Sequence, residues 1–325
     1  MKRREFITLL VGTAGWPLTA FAQQSRAPVV GWLHSASAGF TVHLVAAFRK
    51  GLSEAGFAER QNLSIEYRHA NGQYEQLSGM AGELARRRVD VIFAGSPPAA
   101  LAAKVATTTI PIVFVVGLDP VAAGLVGSFN QPGGNATGIT MVTGPLAQKR
   151  LEIARELLPK AASIVMIVNP NTPDAVPEIR DVQAAAQVNG FQITTSNATT
   201  AAELDEAFKA VVQNRPDVLL VGSDPFFVSR SEQFAKFAAN AKIPAIYPFR
   251  ESPDAGGLIS YGTNIPNAYR QAGILTARIL KGEKTTDLPV QQPTKFELVI
   301  NLKAAKALGL PVPPSLLSRA DDVIE

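Results

Sequence analysis

The run Arg88-Val89-Asp90-Val91-Ile92-Phe93-Ala94-Gly95-Ser96-Pro97-Pro98 returns later in the chain as Arg215-Pro216-Asp217-Val218-Leu219-Leu220-Val221-Gly222-Ser223-Asp224-Pro225. Each copy holds an apolar stretch too short for a helix and rich in Val, Ile and Leu, closed by glycine, a polar residue and proline. That pattern predicts a buried parallel strand delivering a turn and a helix start. The flanks agree. Gly56-Phe57 precedes the first copy and Gly190-Phe191 the second, while Ile110-Pro111-Ile112-Val113-Phe114 answers to Ile243-Pro244-Ala245-Ile246-Tyr247. Three landmarks in one order imply two similar halves, with a cleft where they face each other.

Working outward, strand and helix patterns alternate on both sides of the repeat. Strands are expected at 29–33, 63–67, 89–94 and 112–116, separated by helices at 41–55, 74–88 and 99–106. A second series runs through helices at 146–158, 175–188, 201–213 and 229–241. Its strands fall at 164–168, 192–195, 218–221, 245–247 and 258–261. Repeated βαβ units give an α/β fold of two doubly wound parallel sheets. A helix at 268–280 and a strand at 296–300 follow, and residues 311–325 read as a tail on the surface. Turn-forming residues at 140–144, 262–264 and 289–293 mark the expected crossings between lobes. The lobes are then 28–142 with 264–290, and 143–263 with 291–310.

A length of 325 residues suits two domains, and 46% hydrophobic with 18% charged residues is globular. Lys2-Arg3-Arg4, an apolar stretch over 6–18 and Ala20-Phe21-Ala22 form a cleavable export signal over 1–22. Arg3-Arg4-Glu5-Phe6-Ile7 is similar to a twin-arginine signal, and the general secretory route is the alternative. Removing the leader takes away three cations and one anion, lowering the formal charge from +4 to +2. No basic run with interleaved aromatics remains, so a nucleic-acid partner is not expected. The chain has no cysteine, which excludes disulfides, thiolate metal sites and a Cys-anchored lipoprotein. A soluble periplasmic monomer is the expectation.

Standard chemistry is missing. Neither G-x-G-x-x-G nor a phosphate loop occurs, there is no G-x-S-x-G elbow, and His34, His43 and His69 lack metal-ligand spacing. No catalytic set, metal or cofactor is expected. Polar residues instead cluster at the carboxyl ends of strands, where open α/β sheets bind ligands. Ser35, Ser37, Ser96 and Asp119 hold these positions in the first half; Asn169, Asn171, Asp224 and Tyr247 hold them in the second. Ser96 before Pro97 fits an N-cap, and the N–H groups of that helix start favour an anion. Asp119-Pro120 and Asp224-Pro225 allow two roles, helix capping or pairing with a ligand ammonium. Tyr247, Phe249, Phe226, Phe227 and Trp32 could wall a cleft or fill the core.

The segments Asp119-Pro120-Val121-Ala122-Ala123-Gly124-Leu125-Val126 and Pro132-Gly133-Gly134-Asn135-Ala136-Thr137-Gly138 carry a family resemblance. So do Asn62-Leu63-Ser64-Ile65-Glu66-Tyr67-Arg68, Leu157-Leu158-Pro159 and Phe296-Glu297-Leu298-Val299-Ile300-Asn301. The chain resembles the ABC transporter substrate-binding proteins that include tryptophan-binding TrpX-like members. The resemblance implies a type I periplasmic-binding-protein fold, a small organic ligand clamped between lobes, and ABC permease subunits as partners. A sensory binding protein and an exported α/β enzyme are the rival readings. The match departs from the family pattern at the ligand positions. Val168-Asn169-Pro170-Asn171-Thr172-Pro173-Asp174 stands where the family often has Tyr-Asn-Pro followed by Asn-Ser. Ser96-Pro97 replaces Thr-Pro, and Asp224-Pro225-Phe226 replaces Asp-Asn-Thr. An amino acid, aromatic or otherwise, and an aromatic or branched carboxylate both stay open as ligands.

Overall fold

A computed structural model describes residues 26–141, 144–293 and 295–325; the expected leader over 1–22 lies outside them. The first half builds β1 (Val29–His34), α1 (Ala38–Glu54), β2 (Ser64–His69), α2 (Leu77–Arg86), β3 (Val91–Ala94), α3 (Pro97–Ala106), β4 (Ile112–Val116) and β5 (Ala136–Thr140). The second half builds α4 (Gly144–Leu157), β6 (Ser163–Val168), α5 (Ala175–Asn189), β7 (Gln192–Asn197), α6 (Ala201–Asn214), β8 (Val218–Val221), α7 (Pro225–Val228), α8 (Ser231–Ala241), β9 (Ala245–Tyr247), α9 (Glu251–Asp254) and β10 (Ile259–Thr263). Then come α10 (Ile265–Leu280), β11 (Phe296–Asn301), α11 (Leu302–Ala307), α12 (Pro314–Leu317) and β12 (Asp322–Ile324).

The sheets run β2-β1-β3-β4-β5 and β7-β6-β8-β9-β10-β11-β12, so the first five strands of each share one order. The sequence repeat extends into backbone detail. Arg88 and Arg215 both adopt left-handed backbone, at φ 53° and 43°, immediately before the repeated strands. Asp90 then accepts the Val29 N–H at 2.6 Å, and Asp217 accepts the Ala162 and Ser163 N–H groups at 2.8 and 2.9 Å. In each copy the acid ties the repeated strand to the start of its neighbour.

Both faces of each sheet are buried, which is why the strands read as continuous apolar runs. In the first sheet Trp32, Phe93 and Val115 pack toward α1 and α10, while Leu33, Ile92 and Phe114 pack toward α2 and α3. Helix α10 comes late in the chain yet seals the first lobe. Gly51 and Gly273 let α1 and α10 touch backbone to backbone: a Cβ on Gly51 would lie 1.9 Å from the Arg270 carbonyl oxygen. The chain therefore passes between the sheets after Met141, at Asn264, and between Gln291 and Phe296. The first expected crossing includes residues 142 and 143, which lie outside the described set.

Two expectations change. Residues 136–140, read only as part of a motif, form the edge strand β5. The segment 311–325 is not a draped tail. Leu316 is fully buried in the second core, β12 pairs in parallel with β11, and Asp322 meets Arg250 at 2.8 Å. Leu316, worth roughly 1.5–3 kcal/mol when buried, together with Val312, Leu317 and Ala320 packed against the same core and an unpaired edge on β11, recruits the segment into the sheet.

Candidate functional site

The two copies of the repeat end opposite one another. In the first lobe β3 delivers Gly95-Ser96-Pro97. Ser96 has extended backbone (φ −162°, ψ 158°), and its carbonyl accepts the Ala100 N–H at 2.9 Å. Its hydroxyl caps nothing. Pro97 and Pro98 have no N–H, which removes one of the two donors that an N-cap oxygen takes. The buried Ser96 Oγ has no hydrogen-bond partner. The same prolines reduce the anion-holding capacity expected of this helix start.

Gly95 is fixed from behind. His34 Nδ1 accepts the Ala36 N–H at 2.9 Å, which leaves Nε2 to donate to the Tyr269 hydroxyl at 2.8 Å. Tyr269 donates in turn to the Gly95 carbonyl. Burial, and then the neighbouring His69 and His43, push His34 down to about 3, so it is a neutral strut rather than an acid–base group. A side chain at Gly95 would strike His34 and Tyr269 within 2.8 Å.

In the second lobe β8 delivers Ser223-Asp224-Pro225. Here a single proline starts the helix, and Asp224 Oδ1 accepts the N–H groups of Phe226 and Phe227 at 2.9 and 3.3 Å. Oδ2 accepts the Tyr74 hydroxyl at 2.9 Å, a hydrogen bond from the other lobe. Burial raises Asp224 to about 6 against the opposing pull of its hydrogen bonds. Beneath the turn, buried Glu178 accepts both the N–H and the hydroxyl of Ser223 and lies 3.6 Å from buried Arg150. Asp174, at the N-cap position of α5, makes no capping bond, is 4% exposed, and has an Oδ1 without a partner. Burial first, then the Glu178 charge, lift it to about 7.

The two turns, with His34, Tyr269 and Asp174, line one inter-lobe cavity with about 520 Å³ of empty space, part of it open to solvent. Phe40, Leu44, Val115 and Ile265 form its wall on the first-lobe side. Val228 and Phe249 come from the second lobe, and Met141 from the crossing. Ser96, Pro97, Asp174, Ser223, Asp224 and Tyr269 are among the polar and turn residues of the lining. Among the described residues, no lysine or arginine lines it, and no group of three His, Cys, Asp or Glu could hold a metal.

Of the residues expected from sequence, Ser96, Pro97 and Asp224 meet in this cavity. Ser35 is buried nearby with an unpartnered hydroxyl, outside the lining. Ser37 caps α1 by accepting the Phe40 N–H. Asp119 is exposed, caps its own turn through the Val121 and Ala122 N–H groups, and does not line the cavity. Asn169 sits behind Asp224 as a hydrogen-bonding neighbour, and Asn171 is exposed. Phe226 and Tyr247 are core residues. Phe226 is buried with the Arg230 guanidinium 3.7 Å over its ring, and Tyr247 is fully buried in the cluster with Phe227 and Phe234. Trp32 likewise stacks in the first core, whereas Phe249 does wall the cavity.

The sequence reading missed Asp174, Tyr269 and Met141. Asp174 lay inside the segment that departs from the family pattern, and that departure was the available signal. Tyr269 is placed by a helix that crosses over late, which no local pattern announces.

Residues 40–324 match the family described as ABC transporter substrate binding protein. The chain belongs to that family. It is 31% identical over 263 residues to the tyrosine-binding protein of Clostridioides difficile strain R20291, covering 81% of this chain and 75% of that one. Two solved structures are similar, each covering 91% of this chain and 99% of the other. One is an ABC domain in complex with L-Trp from Streptococcus pneumonia, 24% identical with a TM-score of 0.83. The other is a ligand-free, open substrate binding protein with adhesive properties from Clostridium difficile, 28% identical with a TM-score of 0.65.

Proposed function

We propose that this substrate-binding protein is exported to the periplasm. There it would clamp an amino acid with an aromatic side chain between its lobes and deliver it to an ABC permease. The observation that carries the ligand class is the lining: apolar walls, two buried carboxylates, one unpartnered hydroxyl, and no cation. Apolar walls reward an aromatic or large aliphatic side chain, and carboxylates demand an ammonium. A carboxylate ligand without an amine would meet Asp174 and Asp224 with no positive partner, so the amino acid is the better fit. The tyrosine-binding relative supports the same class.

The lobes are 28–142 with 264–290 and 143–263 with 291–325, hinged at the three crossings. The Tyr74–Asp224 bond spans the cleft, and the overall shape is nearer the L-Trp complex than the open, ligand-free relative. Both support a closed arrangement, reached by hinge motion and recognised by the permease. The leader over 1–22, by either export route, supports the periplasmic address.

Titration calorimetry on the mature protein tests the ligand class, using L-tyrosine, L-tryptophan, L-leucine and 3-(4-hydroxyphenyl)propionate. Binding of an aromatic amino acid with negligible heat from the des-amino acid is expected. Preference for the des-amino acid, or no heat from any amino acid, would overturn the reading.

A further inference from the structure

Within that reading the ammonium has two candidate carboxylates, and their hydrogen bonding differs. Asp224 is engaged at both oxygens: Oδ1 by two backbone N–H groups and Oδ2 by Tyr74. A carboxylate offers about four lone-pair directions, and these three bonds with that of the neighbouring Asn169 draw on them before a ligand arrives. Asp174 lines the same cavity, is 96% buried by its 4% exposure, and keeps Oδ1 without a donor. As the residue preceding α5 it could have capped that helix, and it does not. An unsatisfied buried carboxylate oxygen costs stability unless a donor is supplied. The cavity is the direction from which a donor can come.

We propose that Asp174 is the acceptor of the ligand's ammonium group, with Asp224 a second carboxylate beside it, held in place by Tyr74, Asn169 and the α7 N–H groups. This rests on the amino-acid reading and adds a proton to it. Besides burial, Glu178 on its own helix and Asp224 on the β8–α7 turn push Asp174 up, against a backbone hydrogen bond and the Thr172 side chain that hold it down, and Tyr74 from the first lobe lies close enough to feel its charge. Arg150 on α4 faces Glu178, and Arg230 acts on Asp224. His34, which lines the same cavity, is neutral. With Asp174 lifted to about 7 in the free protein, the ammonium meets a carboxyl that is protonated in part. Binding then ionises it and releases the proton to solvent. Below pH 7 the ligand must displace that proton, so affinity falls with pH, approaching about tenfold per unit.

The test is calorimetry of L-tyrosine at pH 7 in buffers of different ionisation enthalpy, on wild type and Asp174→Asn, with 3-(4-hydroxyphenyl)propionate as control. Wild type is expected to release a sizeable fraction of one proton per L-tyrosine, and to bind more weakly at pH 5.5 than at pH 8. Asp174→Asn should lose that release and bind L-tyrosine roughly ten- to a hundredfold more weakly, with the weak des-amino binding unchanged or tighter. Unaltered affinity and proton release in the variant would overturn the role of Asp174. Equal weakening toward both compounds would reduce it to a structural residue. If the variant does not fold, the wild-type proton count decides, and no release between pH 6 and 7 refutes the proposal. Absence of heat from every aromatic amino acid would instead defeat the ligand class itself.

Discussion

Gly95-Ser96-Pro97-Pro98 and Ser223-Asp224-Pro225-Phe226 occupy the same place in two lobes of the same strand order, yet they use their polar residue in opposite ways. Asp224 is consumed by the fold: two N–H groups of its own helix, a hydroxyl from the facing lobe and the Asn169 side chain engage it. Ser96 is spared by the fold. A second proline removes the N2 donor that its oxygen would have bonded, and Oγ lies buried without a partner. One proline more or less thus separates a structural turn from a turn with an unused donor in the cleft. The lesson is that helix-start residues at strand ends should be judged by which N–H groups follow them, not by the capping residue alone.

The contrast breaks most visibly at Asp224. Asp224→Ala removes the cap of α7 and the hydrogen bond to Tyr74, and should lower unfolding stability by about 1–2 kcal/mol. The loss should be largest below the ordinary carboxylate value of 3.8 and shrink as pH rises to about 6, since a carboxyl raised to about 6 costs the fold a growing penalty across that window. Chemical denaturation would check it. A loss no larger than that of an exposed-site control would mean that the α7 start holds without its carboxylate, and the two turns would be equivalent after all.

Tyr74→Phe comes next and sharpens the inter-lobe part of the comparison. The change keeps the ring and deletes one buried hydroxyl donor, costing about 0.5–1.5 kcal/mol. That cost should fall on the closed arrangement. Scattering of the ligand-free variant should show a larger radius of gyration than wild type, and an identical profile would show that the bond does not govern closure. The sign at Asp224 also follows. Tyr74 is the largest of the hydrogen bonds holding Asp224 down, so its loss raises the carboxyl above about 6. L-tyrosine binding by the variant should then weaken at a higher pH than in wild type as the solution is acidified.

Much of this architecture was legible because the repeat is a statement about strands buried on both faces. Val91-Ile92-Phe93-Ala94 and Val218-Leu219-Leu220-Val221 can be continuous and apolar only inside parallel sheets covered by helices. The edge strand β5 and the closing segment escaped, since Ala136–Thr140 is short and glycine-containing, and 311–325 is held by Leu316 and a few scattered apolar neighbours that form no periodic pattern. At the candidate site, Ser96, Pro97 and Asp224 come together in one cavity because strand ends in this fold face a cleft. Asp119 and Asn171 also end near strands, but their turns point them to solvent. Tyr247 and Phe226 also stand near strand ends, but their rings are taken up by the second-lobe core with Phe227 and Phe234. Asp174 belongs to no periodic pattern, and its place in the proposal arises from what its Oδ1 lacks, a donor, which only three dimensions reveal.

The smallest effect is expected at Ser96, and it bears most directly on the comparison. Ser96→Ala deletes a hydroxyl that bonds nothing in the free protein, so unfolding stability should stay within about 0.5 kcal/mol of wild type. Pro97 still begins α3, and the Ser96 carbonyl that accepts the Ala100 N–H is backbone, unaffected by the change. Any cost should therefore appear only when ligand is bound. A hydroxyl donating to the ligand carboxylate across the cleft from Asp174 is worth about 0.5–1.5 kcal/mol, a two- to tenfold loss of affinity for L-tyrosine. Tyramine, which lacks the carboxylate, should bind wild type and variant alike. Calorimetry with the two compounds separates the outcomes. A parallel loss for both would place Ser96 against some other part of the ligand, and no loss for either would leave its hydroxyl outside the contact altogether. Weakening confined to L-tyrosine would mark the first lobe's turn as the carboxylate end of the cleft, set against an ammonium end in the second lobe.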